Sequence, residues 1–122
     1  MKEIAPEQYA TLVRVNWLKE PCLSIAIRAD FRCEYCGCDL LASVNNLHTL
    51  ELDHILPKSN QGPKDDAANL AVCCSTCNAL KFTYIPNGDS REERVADASR
   101  HVRELRKNVE ATQNRYRELM GR

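Results

Sequence analysis

The 122-residue chain has no net charge: 17 Lys and Arg side chains offset 17 Asp and Glu. Bulk electrostatics therefore gives no argument for binding a polyanion. No apolar run approaches the roughly 20 residues needed to span a bilayer. The opening Met1-Lys2-Glu3-Ile4-Ala5-Pro6 lacks the apolar core of a secretion signal, so a cytoplasmic location is the expectation. There is no internal repeat and no low-complexity segment. What remains is a single domain's worth of ordinary globular sequence, 43% hydrophobic and 28% charged.

Against this background, seven cysteines stand out. The number is odd and there is no secretory signal, so metal ligation explains them better than disulfides do. Cys33-Glu-Tyr-Cys36 and Cys74-Ser-Thr-Cys77 are two C-x2-C knuckles. Together they offer four thiolates, the donor set of a closed tetrahedral Zn²⁺ site. Gly37 allows a tight turn after the first knuckle. Residues 37–73 exceed the roughly 15–20 residues usual between the knuckles of a zinc ribbon, so a hairpin-sized insert is expected there. Cys73 is disfavoured as a ligand, because in a strand it would point away from Cys74. Cys38 is either a buried thiol or an alternative ligand, and Cys22 reads as a small buried apolar residue.

Three zones follow: a helical segment over 1–30, a central unit over 31–85 and a C-terminal helix over 90–122. In the first, Tyr9, Leu12, Val13 and Trp17 recur at helical spacing from Pro6 to about Lys19, and a shorter helix covers Leu23 to Asp30. In the second, Leu50 to Leu56 alternates apolar and polar residues as a half-buried strand does. Ser59 to Asp66 reads as a loop, Asn69 to Cys73 as a second strand and Ser75 to about Tyr84 as a helix. The predicted fold class is α+β, a ββα finger stapled by four cysteines and flanked by helices.

The third zone opens on Ser90-Arg91-Glu92-Glu93, a capping-box pattern in which Ser90 and Glu93 cap each other's backbone. Val95, Ala98, Val102, Leu105, Val109, Thr112, Tyr116 and Leu119 then form a heptad seam. It fits either a helix lying on the N-terminal helices or a homodimer interface over 95–119. Charge is unevenly spread: residues 91–122 hold nine basic against six acidic side chains, and residues 28–81 five against seven. An acidic centre suits cation binding, and a basic helix could meet phosphates.

Asp53 and His54 end the first strand on opposite faces, so one can bind a cation while the other addresses a nucleophile. They keep company with Asn69 at the start of the second strand and Asn78 just after the second knuckle. The run Glu51-Leu-Asp53-His54-Ile-Leu-Pro57-Lys-Ser59, then Asn69-Leu70, then Cys74-x2-Cys77-Asn78-x2-Lys81, resembles the HNH endonuclease family from Cys33 to Lys81. The resemblance implies a ββα-metal nuclease in which His54 is the general base and Asp53 a divalent-metal ligand. Asn69 would brace the loop that orients the histidine. Asn78, standing where other members have His or Asn, would be the second metal ligand, which makes this an H-N-N variant.

These roles suit phosphodiester hydrolysis. Histidine is the side chain whose ordinary titration lies near neutrality. An oxygen-ligated Mg²⁺ or Mn²⁺ keeps positions open for phosphate and water, which a zinc with four thiolates cannot. Two metals are thus expected, a structural Zn²⁺ and an exchangeable catalytic ion. Glu51 shares the face of Asp53 and is a candidate assisting group. Lys58 and Lys81 are candidate phosphate contacts, whereas His48 and His101 carry no assigned role. DNA, double- or single-stranded, is the expected substrate, with specificity supplied by a partner, by dimerisation or by DNA shape, and a place in a larger DNA-processing assembly is compatible with this. The competing expectation is a non-catalytic zinc module that binds nucleic acid or protein.

Overall fold

The computed structural model describes residues 2–57 and 66–122. Lys58 and nearly all of the loop expected from Ser59 lie outside the described residues. Helices α1 (Pro6–Val15), α2 (Cys22–Arg28) and α3 (Val44–His48) precede strand β1 (Leu50–His54). After it come β2 (Leu70–Cys74), α4 (Ser75–Lys81) and the 29-residue α5 (Arg91–Leu119). The ββα order is the expected one, and the fold is α+β.

The strands pair antiparallel, with Leu50 opposite Cys74 and His54 opposite Leu70. Both differ slightly from their expected limits, for one reason. Asn69 does not open β2; it closes a single 3-10 turn (Ala67–Asn69) whose N-cap, Asp66, accepts from the Ala68 N–H at 2.9 Å. There the ladder gives way to Asn69, whose carbonyl holds Ile55 and whose side chain holds Leu56, so β1 stops at His54 instead of running to Leu56. All five β2 residues are buried, and both α2 and α4 pack against this strand.

α1 ends at Val15, earlier than the expected Lys19, because Asn16 takes the left-handed conformation (φ 58°) that terminates helices. No α1 residue is buried. One turn, α3, is too short to show a helical period in sequence; Ser43 caps it by accepting from the Asn46 N–H at 3.0 Å. Cys22 is half-buried.

α5 departs from expectation in three ways. Ser90 accepts from the Glu93 N–H at 3.1 Å as foreseen, but the Glu93 carboxylate accepts from Asp89 N–H, not from Ser90. Its main packing partner is α4, where the sequence left open the N-terminal helices or a second copy of the chain. The heptad seam also divides. Ala98 and Val102 are fully buried in the chain's own core, while every residue from Lys107 to Arg122 is exposed. The helix thus runs on for about 20 Å beyond the body of the protein.

The core joins all three zones: Ile25 and Ala26, then Tyr35, Leu40, Ile55 and Val72, then Ala98 and Val102 form one cluster. The link into α5 is tied down at Asp97, which accepts from the Tyr84 hydroxyl at 2.6 Å and the Asn87 N–H at 2.8 Å. The Tyr84 hydroxyl, ahead of the other donors, holds the Asp97 carboxyl at a pKa of about 2. His101 stacks on the Tyr84 ring at 3.8 Å, and His48 meets Trp17 edge-on, so both histidines have structural contacts. Among the described residues no helix is long and apolar enough to cross a membrane.

Candidate active site

The two knuckles converge as their spacing requires. The sulfurs of Cys33, Cys36, Cys74 and Cys77 all lie within 4.8 Å of one another, and Cys36 and Cys74 are 3.9 Å apart. A tetrahedron with Zn–S bonds of about 2.3 Å has edges of roughly 3.8 Å, so the cluster has the size of a zinc site. Within each knuckle a backbone N–H points at the first sulfur, Cys36 N–H to Cys33 and Cys77 N–H to Cys74, both at 3.4 Å. Gly37 has φ +80°, a conformation that glycine adopts readily.

Packed together, the thiols share protons unevenly: hydrogen bonds from Cys33 and Cys77 hold Cys74 well below the ordinary thiol range and push Cys33 and Cys77 up. From α5, Arg106 places Nε 3.3 Å from the Cys77 sulfur and Nη2 3.3 Å from that of Cys74. A cation here offsets the excess negative charge that four thiolates leave on a divalent ion. Cys73 faces away and is fully buried; burial, then the Asp53 carboxylate, push its thiol far up. Cys38 lies outside the four-sulfur group, its thiol pushed up to about 12 by burial and its neighbour Cys36.

The residues between the knuckle cysteines are more than spacers. Glu34 N–H donates to the Val72 carbonyl at 2.9 Å, and the Glu34 carboxylate accepts from the Val72 N–H at 2.8 Å. This two-way contact docks the first knuckle on β2. Arg91 reaches the other Glu34 oxygen at 2.8 Å. Tyr35, fully buried, donates its hydroxyl to Asp53 Oδ2 at 2.6 Å. Burial and then the Asp53 charge raise the Tyr35 hydroxyl far above its ordinary pKa, so it stays a donor. Its carbonyl accepts from Ser99 at 2.5 Å and Arg103 at 3.1 Å, both on α5. The four-sulfur site therefore aims a tyrosine at the candidate metal ligand.

β1 and α4 meet in matched steps. Glu51 and Asp53 share one face of the strand, two residues apart, while Asn78 and Lys81 share one face of the helix, three apart. Asn78 Nδ2 donates to Glu51 at 2.8 Å, and Lys81 Nζ lies 3.0 Å from Asp53 Oδ2. The same ammonium donates to the His54 carbonyl at 3.1 Å. The expected phosphate contact at Lys81 is corrected here: the side chain is fully buried and turned inward, held by Asp53 and a backbone oxygen. Lys58 lies outside the described residues.

Removing one partner of such a pair leaves an uncompensated buried charge, so Lys81→Met is expected to cost about 3–5 kcal/mol in a urea titration. A midpoint equal to that of the wild type would show that the pair is not desolvated.

Among the described residues both Asp53 contacts end on Oδ2, which leaves Oδ1 as the oxygen for a cation. Glu51 engages the Asn78 amide nitrogen, which leaves the amide oxygen for the same use. A carboxylate and an amide oxygen fit Mg²⁺ or Mn²⁺, which keep several waters and take few protein ligands. Among the described residues the four cysteines are the one group with three or more clustered ligands.

His54, half-buried, sits on the opposite face of β1 from Asp53. Its local backbone is over-determined. Asn69 accepts from the Leu56 N–H at 2.9 Å and donates to the Leu56 carbonyl at 3.1 Å, a two-point clasp on one residue. The Asn69 carbonyl accepts from Ile55 N–H at 2.8 Å. Lys81 holds the carbonyl of His54 itself. Sequence reasoning missed Tyr35, Arg106, Ser99 and Arg103. The positions inside C-x2-C carry no visible constraint, and the α5 residues lie between 29 and 68 positions from what they touch at the knuckles.

Two antiparallel strands and a helix, with a carboxylate–histidine pair at the strand end and an amide on the helix, define a ββα-metal finger. Residues 33–82 match the family model described as HNH endonuclease. Among curated proteins, the CRISPR-associated endonuclease Cas9 of Corynebacterium diphtheriae is 35% identical over 54 residues. That stretch covers 44% of this chain but 4% of that protein, so the chain spans a small part of its relative. No solved structure gives a significant match. The two matches support a nuclease.

Proposed function

We propose that this chain hydrolyses phosphodiester bonds of DNA, with His54 as general base and an exchangeable Mg²⁺ or Mn²⁺ held by Asp53 and Asn78. The observation that carries this reading is the matched seating of α4 on β1, which puts Asn78 beside Glu51 and Lys81 on Asp53. His54 follows Asp53 directly, its peptide held by Lys81.

In the proposed reaction His54 accepts a proton from water as the water oxygen forms its bond to phosphorus. The bond from phosphorus to the leaving sugar oxygen breaks, and that oxygen takes a proton from solvent. Asp53 and Asn78 would hold a divalent ion that stabilises charge on the leaving oxygen. Asn69 fixes the chain just beyond His54, and Lys81 and Tyr35 fix Asp53. Lys81 acts by positioning and does not touch substrate; Lys58 remains a proposed phosphate contact.

The test is nicking of supercoiled plasmid by zinc-loaded protein with Mg²⁺, with Mn²⁺, and after dialysis into metal-depleted buffer without chelator. Cleavage is expected with either ion and absent without. Cleavage that persists in metal-depleted buffer, or none under any condition, would reject the reading.

The match to a small part of a much longer endonuclease favours a catalytic module that works with a DNA-reading partner or within a DNA-processing assembly. A homodimer seam over the whole of 95–119 is disfavoured, because Ala98 and Val102 are spent on the chain's own core. Any self-association is left to Val109, Thr112, Tyr116 and Leu119, about two heptads, a marginal length for an isolated helix pair.

A further inference from the structure

We propose that Phe82 is a nucleobase-stacking residue, placing a base next to the scissile phosphate; this rests on the nuclease reading above. Phe82 follows Lys81 directly and is the C-cap of α4. It has φ +46° and ψ −117°, a region that glycine occupies at little cost and a bulky residue does not. Strained conformations of this kind persist where the surroundings over-determine them, and they cluster at ligand sites.

The surroundings here do so. Phe82 N–H is held by the Asn78 carbonyl at 3.1 Å, and Tyr84 N–H by the Lys81 carbonyl at 2.8 Å. On one side Lys81 is locked on Asp53, and on the other Tyr84 is locked on Asp97. Yet the side chain so held contributes nothing to the core. Its exposure is 79%, the highest of any large hydrophobic side chain here and above those of Trp17 (55%) and Tyr116 (65%).

A fold selecting only for stability would place glycine at this position. A Phe that costs backbone strain and stays in water is a local conflict of the kind functional sites carry. Its location says what it meets. It lies one helical turn, about 6 Å along the axis, from Asn78, the proposed metal ligand. A flat aromatic face exposed to water, one helical turn from the proposed metal ligand, suits an unpaired base, since every base has a π-face to stack on it. The occupant is therefore a DNA strand with an accessible base beside the cleaved bond.

The test uses zinc-loaded full chain, without added Mg²⁺ or Mn²⁺ and without chelator, and fluorescence anisotropy with a labelled single-stranded oligodeoxynucleotide. Phe82→Gly is expected to weaken binding about tenfold, the range for loss of one stacked base. It is also expected to raise the melting temperature, because the strain is relieved. Phe82→Trp should bind as wild type does. An oligonucleotide made abasic throughout should lose less affinity for Phe82→Gly than for wild type. Equal affinity of Phe82→Gly and wild type for the intact strand overturns the proposal, and so does an equal abasic penalty. Failure of the nuclease reading shows separately, as no plasmid cleavage by the wild type.

Discussion

Stripping the metal from the four cysteines is expected to unfold this chain. Structural zinc supplies roughly 10–16 kcal/mol in small peptides near neutral pH, and a whole domain is stable by only about 5–15 kcal/mol. Here the site ties three segments of the chain together. Cys33 and Cys36 lie in the loop before α3, Cys74 ends β2 and Cys77 is in α4. Without the ion the sulfurs take up protons, and the part-buried Arg106 guanidinium is left against neutral thiols with its charge uncompensated. The check is one bound zinc per chain by elemental analysis, followed by thermal melting with and without a strong chelator. Cys77→Ser should lose both the zinc and the cooperative melt, whereas Cys38→Ser should keep both. A cooperative melt unchanged by a chelator that has removed the zinc would refute the assignment.

The second large effect is expected at His54. Replacing it by Ala removes the proposed base and should lower plasmid cleavage by roughly 10²–10⁴-fold, the ordinary contribution of a positioned base. Zinc content should stay as in the wild type, since His54 is not among the four clustered cysteines. Asn69→Ala is the contrasting control. It deletes the clasp on Leu56 and leaves that backbone N–H and carbonyl without partners, so it should lower stability as well as cleavage. Undiminished cleavage by His54→Ala would remove the histidine from the mechanism.

A single reason accounts for much of what sequence reading reached. Metal knuckles, strand alternation and helix caps are local, so Cys33, Cys36, Cys74 and Cys77, the β1 and β2 segments and the Ser90 cap were all legible in linear order. Asp53, His54, Asn69 and Asn78 were legible as candidates because their family pattern is also linear. Their contacts were not. That Lys81 turns inward depends on α4 running alongside β1 in matched steps, and no spacing reveals that a lysine will be buried. Tyr35 and Arg106 were invisible because a residue inside a knuckle and one far along a helix carry no signal of what they touch.

The four cysteines with which the chain can bind a metal, and the order strand, strand, helix, were thus determined by sequence alone. Period and spacing are properties of the backbone that any neighbour must accept. Only the tertiary structure decided that α5 supports the site at Tyr35 and Arg106, that one Asp53 oxygen is shared by Tyr35 and Lys81, and that Phe82 is held out in water. Each depends on which buried charge finds which partner. That choice is made by packing, since an unpaired charge costs several kcal/mol whatever its place in the chain.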